Sequence, residues 1–386
     1  MGKRRGSRSQ IMVSIGLMLT ATVLSLIAIE VGIRLFAPQP KYYQPRYLFT
    51  ANAELGYAMT PHFKGVLQTP ESRTTILINS QGLRDHEHSR KGKITIMGLG
   101  DSFTFGSGVE TKETFLWKVE ELLNKNHGDR YAVIKAGVPG YGTDQEYAFL
   151  KAEESTYEPS LVVLGFYVND IMDNVTPDFT VIDGYLVPNE KLIDNFESRS
   201  LSWKQRISRL LNQWETMLFV VNRLSSLPSF RKLFLEYTIK AKGEKGNRMP
   251  LYGVQYTKEV EGAWHATMEY LRSFKRMVED RHARLLIVYI PERQQVDMDQ
   301  WKRIMAYYKL DEGLYDIMKP NTLLIDFCRK EGILFLDLTN AMRKAMDEGN
   351  EPYFTMDAHL TRKGHEVTAE TIYREILGKR LIHPLR

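Results

Sequence analysis

Ile94-Thr95-Ile96-Met97-Gly98-Leu99-Gly100-Asp101-Ser102-Phe103-Thr104-Phe105-Gly106 carries the pattern from which the rest of this 386-residue chain is read. Its first part is a short apolar run of strand length, and its second is a glycine-spaced turn that delivers a serine. A helical pattern follows at 114–124, with Phe115, Val119, Leu122 and Leu123 at helical spacing. Strand-like runs recur at 131–134, 161–166, 284–290 and 333–337, separated by helix-like stretches at 144–152, 263–281 and 320–331. This alternation predicts an α/β fold, a parallel sheet with helices on both faces. Active sites in such sheets lie at the carboxyl ends of the strands, where Ser102 stands.

Gly98-x-Gly100 after a strand also opens a dinucleotide fingerprint, but Phe103 occupies the place of the third glycine. The next strand ends in Lys135-Ala136-Gly137, with no acid for a ribose. The serine is likewise outside a G-x-S-x-G elbow. What remains is an exposed hydroxyl at a strand end, and the other strand ends supply what it needs. The second runs into Gly137-Val138-Pro139-Gly140-Tyr141-Gly142, and the third into Tyr167-Val168-Asn169-Asp170. A backbone N–H on a glycine loop and an Asn amide are donors suited to a developing oxyanion. Near the C-terminus, Asp357-Ala358-His359 offers an imidazole base and a carboxylate to orient it. An Asp-x-His spacing requires a loop there. His365 reads as a helix-start contact, and His86 and His88 sit in a polar turn where no third zinc ligand is evident.

Gly-Asp-Ser, the glycine loop, Asn-Asp and the C-terminal Asp/His, in that order, resemble the four blocks of the SGNH (GDSL-type) hydrolase superfamily. The likeness spans about residues 91–170 and 263–380. It implies a flavodoxin-like three-layer α/β/α sandwich and no cofactor or metal. It also implies Ser102 as nucleophile, His359 as base and Asp357 as its orienting acid. Ser102 N–H, Gly140 and Asn169 would form the oxyanion hole. The Asp-x-His spacing differs from the commoner Asp-x-x-His and is similar to that of alginate-type O-acetyltransferases, which act on exported polysaccharide. The expected function is a serine esterase acting on O-acyl, chiefly O-acetyl, groups of an extracytoplasmic carbohydrate or envelope molecule. Polysaccharide O-acetyl transfer follows closely. A membrane-tethered carbohydrate-binding subunit without catalysis is the third reading, against which the complete set of site residues speaks.

Outside this body, residues 11–29 are uncharged and rich in Leu, Ile, Val and Met. Nineteen residues at about 1.5 Å each reach roughly 28 Å, close to a hydrocarbon core of about 30 Å. Lys3, Arg4, Arg5 and Arg8 precede the run and predict a cytoplasmic N-terminus with the catalytic body outside. A retained anchor at 1–36 is favoured over a cleaved signal, because the run is long and no small-x-small cleavage site follows. Those four charges account for most of the net +5, so the remainder is nearly neutral and argues against nucleic-acid binding. The single Cys328 excludes an intramolecular disulfide and reads as a packed thiol.

Residues 37–90 read as a linker, 38–45, and a small module with one strand at 74–79. The catalytic domain, 91–386, carries an insertion at about 171–262, longer than ordinary connections. A hairpin is expected across Asp183-Gly184. Trp203, Ile207, Leu210, Trp214, Leu218 and Val221 then form an apolar helical stripe. Packing on the domain is its leading reading, ahead of a lid or a second membrane contact.

Overall fold

The computed structural model describes residues 3–37, 39, 43–69, 71–175, 179–189, 214–225, 248–355 and 357–382. Its contacts divide the chain into two compact units, Met1–Lys41 with Glu197–Phe234, and Tyr42–Phe196 with Leu235–Arg386.

In the larger unit, residues 43–79 form two antiparallel hairpins. The strands are β1 (Phe49–Asn52) with β2 (Gly56–Met59), and β3 (Lys64–Gln68) with β4 (Arg73–Leu77). Only β4 is legible in the sequence. The others are four or five residues long and half exposed, so their apolar positions are too few to display a period. The module's core of Leu48, Tyr57, Met59, Leu67 and Ile76 is continuous with Phe105, Val138 and Tyr141 from the loops that follow.

Five parallel strands make the central sheet: β5 (Ile94–Gly100), β6 (Tyr131–Gly137), β7 (Leu161–Tyr167), β10 (Arg284–Ile290) and β11 (Leu334–Asp337). Their order, β11-β10-β7-β5-β6, is that of a flavodoxin-like doubly wound sheet. Every residue of β5, β6 and β7 is buried, as expected when helices cover both faces. Helices Phe115–His127 and Arg362–Gly378 pack together on one side, and Thr143–Tyr157 with Lys258–Asp280 on the other. The expected α/β sandwich is the fold observed. The helix expected from 263 starts at Lys258 because the Thr257 hydroxyl caps Val260 N–H.

In the insertion, β8 (Phe179–Ile182) and β9 (Tyr185–Pro188) form the expected hairpin. Asp183 and Gly184 have φ of +50° and +79°, the left-handed pair that a two-residue turn needs. Most of the apolar stripe, residues 203–213, lies outside the described residues.

The smaller unit contains the helix Lys3–Phe36 and the helix Glu215–Ser225. From Gln10 to Phe36 the former is long and apolar enough to cross a membrane. Glu30 accepts hydrogen bonds from Glu215 N–H at 3.0 Å and Thr216 N–H at 2.9 Å. Glu215 in turn accepts the N–H of Gln39. These bonds tie the first turn of Glu215–Ser225 to the N-terminal helix.

Candidate active site

Parallel pairing aligns Gly100 with Gly137 on one side and with Gly165 on the other. The loops leaving β5, β6 and β7 therefore begin at one level of the sheet edge. The short helix Ser102–Phe105 lies across that edge, with Thr104 tucked between the strand ends. A Cβ on Gly100 would come within 2.0 Å of Thr104 Oγ1, and Gly100 adopts φ +150°. Gly100 thus serves close approach of this helix, and Gly98 that of Leu116 on the helix Phe115–His127, where a Cβ would come within 2.3 Å of the Leu116 side chain.

Asp101 caps the short helix by accepting Phe103 N–H at 2.8 Å. Ser102 Oγ meets His359 Nε2 at 2.7 Å. The opposite ring nitrogen, Nδ1, is hydrogen-bonded to Asp357 Oδ1, which also accepts His359 N–H at 3.1 Å. The loop carrying both residues is closed at its neck by the Tyr353–Leu360 bridge and by Phe354 N–H to His359 C=O at 3.0 Å. The ring of Phe103 lies 5.0 Å from that of His359 and 4.0 Å from that of Tyr167, giving the imidazole an aromatic wall.

Asn169 follows β7 and donates its side-chain amide to Asp173 Oδ2 at 2.7 Å. The same nitrogen is 3.4 Å from Asp101 Oδ2, a weak contact. One amide hydrogen is thus held firmly and the other loosely. Gly140 has φ +81°, and a Cβ there would strike Tyr57 Oη and the Phe179 ring, each at 2.7 Å. Among the described residues, neither the Ser102 nor the Gly140 N–H is bonded to a protein acceptor. All five residues singled out in the sequence therefore stand at this edge, with Ser102, His359 and Asp357 in one hydrogen-bonded row.

The surroundings are acidic and buried. Burial raises Asp101, although Phe103 N–H, His359 and Asn169 oppose the shift. Burial, with the neighbouring charges of Asp101, Asp144 and Asp173, raises Glu146 well above the carboxylate range. Asp170 is raised in the same way, by burial and by Glu146 and Asp101. His365 is pushed down to about 3 by burial, then by Arg84, His359 and Lys118. Its Nδ1 accepts Phe115 N–H at 3.2 Å, a helix-start contact as the sequence suggested.

Sequence reasoning missed Asp173, Arg84 and Glu71. Asp173 had a faint signal, lying four residues after Asn169 and hence one helical turn on. Arg84 is buried and donates to the carbonyls of Phe105, Gly106 and Val109, bracing the end of the Ser102 helix. Glu71 had no local signal at all.

Among the described residues, Asp85, His86 and His88 have potential ligand atoms mutually within 4.8 Å. Lys135 Nζ already lies 3.0 Å from Asp85 Oδ1 and 2.7 Å from Glu120 Oε2. Despite burial, hydrogen bonds from His86 and His88 and the Lys135 charge pull Asp85 below the usual range. The ammonium supplies the positive charge there, so the group reads as a buried ionic network.

The model of the GDSL-like Lipase/Acylhydrolase family matches residues 99–367. Among solved structures, the acetyl xylan esterase AlAXEase is similar, at 13% identity over 73% of this chain and 100% of that one, with a TM-score of 0.39. The lipase/acylhydrolase from Enterococcus faecalis is similar at 15% identity over 76% of this chain and 99% of its own, TM-score 0.38. TesA aligns at 12% identity over 75% and 99%, TM-score 0.37. No curated protein matches the sequence. With the matched segment covering well over half its length, the chain belongs to the GDSL-like lipase/acylhydrolase family and is an ester-bond hydrolase.

Proposed function

We propose that this protein is a membrane-tethered serine esterase that removes O-acetyl groups from an extracytoplasmic carbohydrate or related envelope molecule. The observation that carries the catalytic part is the row Ser102 Oγ, His359 Nε2 at 2.7 Å, and His359 Nδ1 on Asp357. In this reading His359 takes the Ser102 proton as Oγ attacks the ester carbonyl. Asp357 holds the imidazole with Nε2 facing Ser102 and stabilises the imidazolium. The tetrahedral oxyanion is met by the N–H groups of Ser102 and Gly140 and by the second amide hydrogen of Asn169. His359 then gives its proton to the departing alcohol, leaving acyl-Ser102. Water, deprotonated by His359, attacks the acyl carbon, and Oγ leaves with the returned proton.

Tethering is supported by the apolar helix ahead of the body and by the basic cluster Lys3 to Arg8, which favours an inside N-terminus. The domain plan that goes with it is an anchor at 1–36, the module at 37–90 and the catalytic domain at 91–386. The acetyl preference is supported by the Asp357-x-His359 spacing, which resembles that of polysaccharide O-acetyltransferases. The same spacing favours a second reading, in which a sugar hydroxyl replaces water as acceptor. A test is to supply an activated acetyl ester with and without acetylatable oligosaccharides, trap acyl-Ser102, and quantify free acetate against acetylated sugar. Free acetate as the main product supports the esterase. Acetylated sugar as the main product installs the transferase, and failure to acylate Ser102 refutes both.

A further inference from the structure

We propose that Glu71, on the N-terminal module and outside the segment that matches the family, is a positioning residue for the acid–base loop. The inference rests on the assignment of Ser102, His359 and Asp357 above. Glu71 sits in the β3–β4 turn, which is built to hold it still. The buried hydroxyl of Thr69 accepts Glu71 N–H at 3.2 Å and Ser72 N–H at 3.0 Å, and Thr69 N–H closes onto Ser72 C=O at 2.8 Å. From this turn the Glu71 carboxylate takes two backbone donors of the distant loop. Oε1 accepts Thr355 N–H at 2.8 Å, and Oε2 accepts Asp357 N–H at 3.0 Å.

The neck of the loop is tied to the body by the Tyr353–Leu360 bridge, by Tyr353 Oη to Pro291 C=O at 2.7 Å, and by Arg293 Nη1 to Phe354 C=O at 2.9 Å. Glu71 holds the tip, where Asp357 begins. Without that carboxylate the tip pivots on its neck, and Asp357 and the ring it orients move relative to Ser102. Misplacement of about 1 Å in a catalytic group costs roughly 10²-fold. The module braces a second site loop as well: Tyr57 Oη donates to Pro139 C=O at 2.8 Å, and Tyr141 Oη to Tyr57 C=O at 2.6 Å. Both contacts lie beside Gly140.

The test uses the full-length chain and a soluble acetyl ester, comparing Glu71→Ala, Glu71→Gln and Ser102→Ala. Glu71→Ala should lower kcat by about 10- to 100-fold with KM within about two-fold, because the lost contact aligns the base and does not bind substrate. Glu71→Gln keeps one carbonyl acceptor at the same reach but sets its amide donor against the other backbone N–H, so it should recover only part of that loss. If Glu71→Ala fails to fold, Glu71→Gln alone decides by the same split between kcat and KM. Wild-type kcat in a folded Glu71 variant overturns the proposal, as does a kcat loss that merely tracks the folded fraction. Retained activity in Ser102→Ala overturns the site assignment and the proposal with it.

Discussion

Asn169 and Asp173 face each other one helical turn apart, and the carboxylate accepts the amide at 2.7 Å. This bond fixes which way the amide points, and in the proposed mechanism its other N–H, which makes only a 3.4 Å contact to Asp101, serves the substrate oxyanion. Asn169→Ala should lower kcat by roughly 10²–10³-fold, the usual effect of losing one such donor. Asp173→Ala should cost less, since the donor survives but its rotamer is released. Steady-state kinetics on a soluble acetyl ester check both. Near-normal turnover in Asn169→Ala would remove that residue from the oxyanion hole.

Ser102 and His359 should behave as one unit. Each alanine variant should lose about 10⁴–10⁶-fold in kcat, and the double variant should be little worse than either single one. Asp357→Ala should lose less, because it orients and stabilises the imidazole without touching the ester. Additive losses for Ser102 and His359 in the double variant would separate them.

His365 should make the fold acid-sensitive. The native state holds it neutral down to about 3, whereas the unfolded chain takes a proton near its ordinary value of about 6.5. The unfolded state therefore binds more protons between these limits, and stability falls as pH drops through that window. His365→Asn, whose carbonyl can still accept Phe115 N–H, should show a smaller fall in Tm between about pH 7 and 4. An unchanged pH dependence would mean other groups govern acid unfolding.

The N-terminal helix should keep the chain in the membrane after alkaline carbonate extraction, with the body accessible to protease added outside the cytoplasmic membrane. Glu30→Ala should leave this anchoring intact while releasing the first turn of Glu215–Ser225, seen as faster amide exchange at Glu215 and Thr216. A mature chain starting after residue 36 and recovered free of membrane would refute the anchor.

The sequence by itself determined the sheet, because β5, β6 and β7 are short, continuously apolar and separated by helical periods. It also put each candidate site residue at a strand end or in an adjacent loop, where its neighbours along the chain confine it. Asp357 and His359 could be paired because they are two residues apart. Only the tertiary structure decided that His359 reaches Ser102, a relationship spanning 257 positions, and that the Asn169 amide donates to Asp173. It alone showed that Glu71 holds Thr355 and Asp357, a contact across 284 and 286 positions. A carboxylate accepting backbone N–H groups leaves no trace in the sequence of its partners, because every residue except proline offers the same donor. Periodicity reports which face of a segment is buried; which distant backbone a polar side chain meets is set by how the segments fold together.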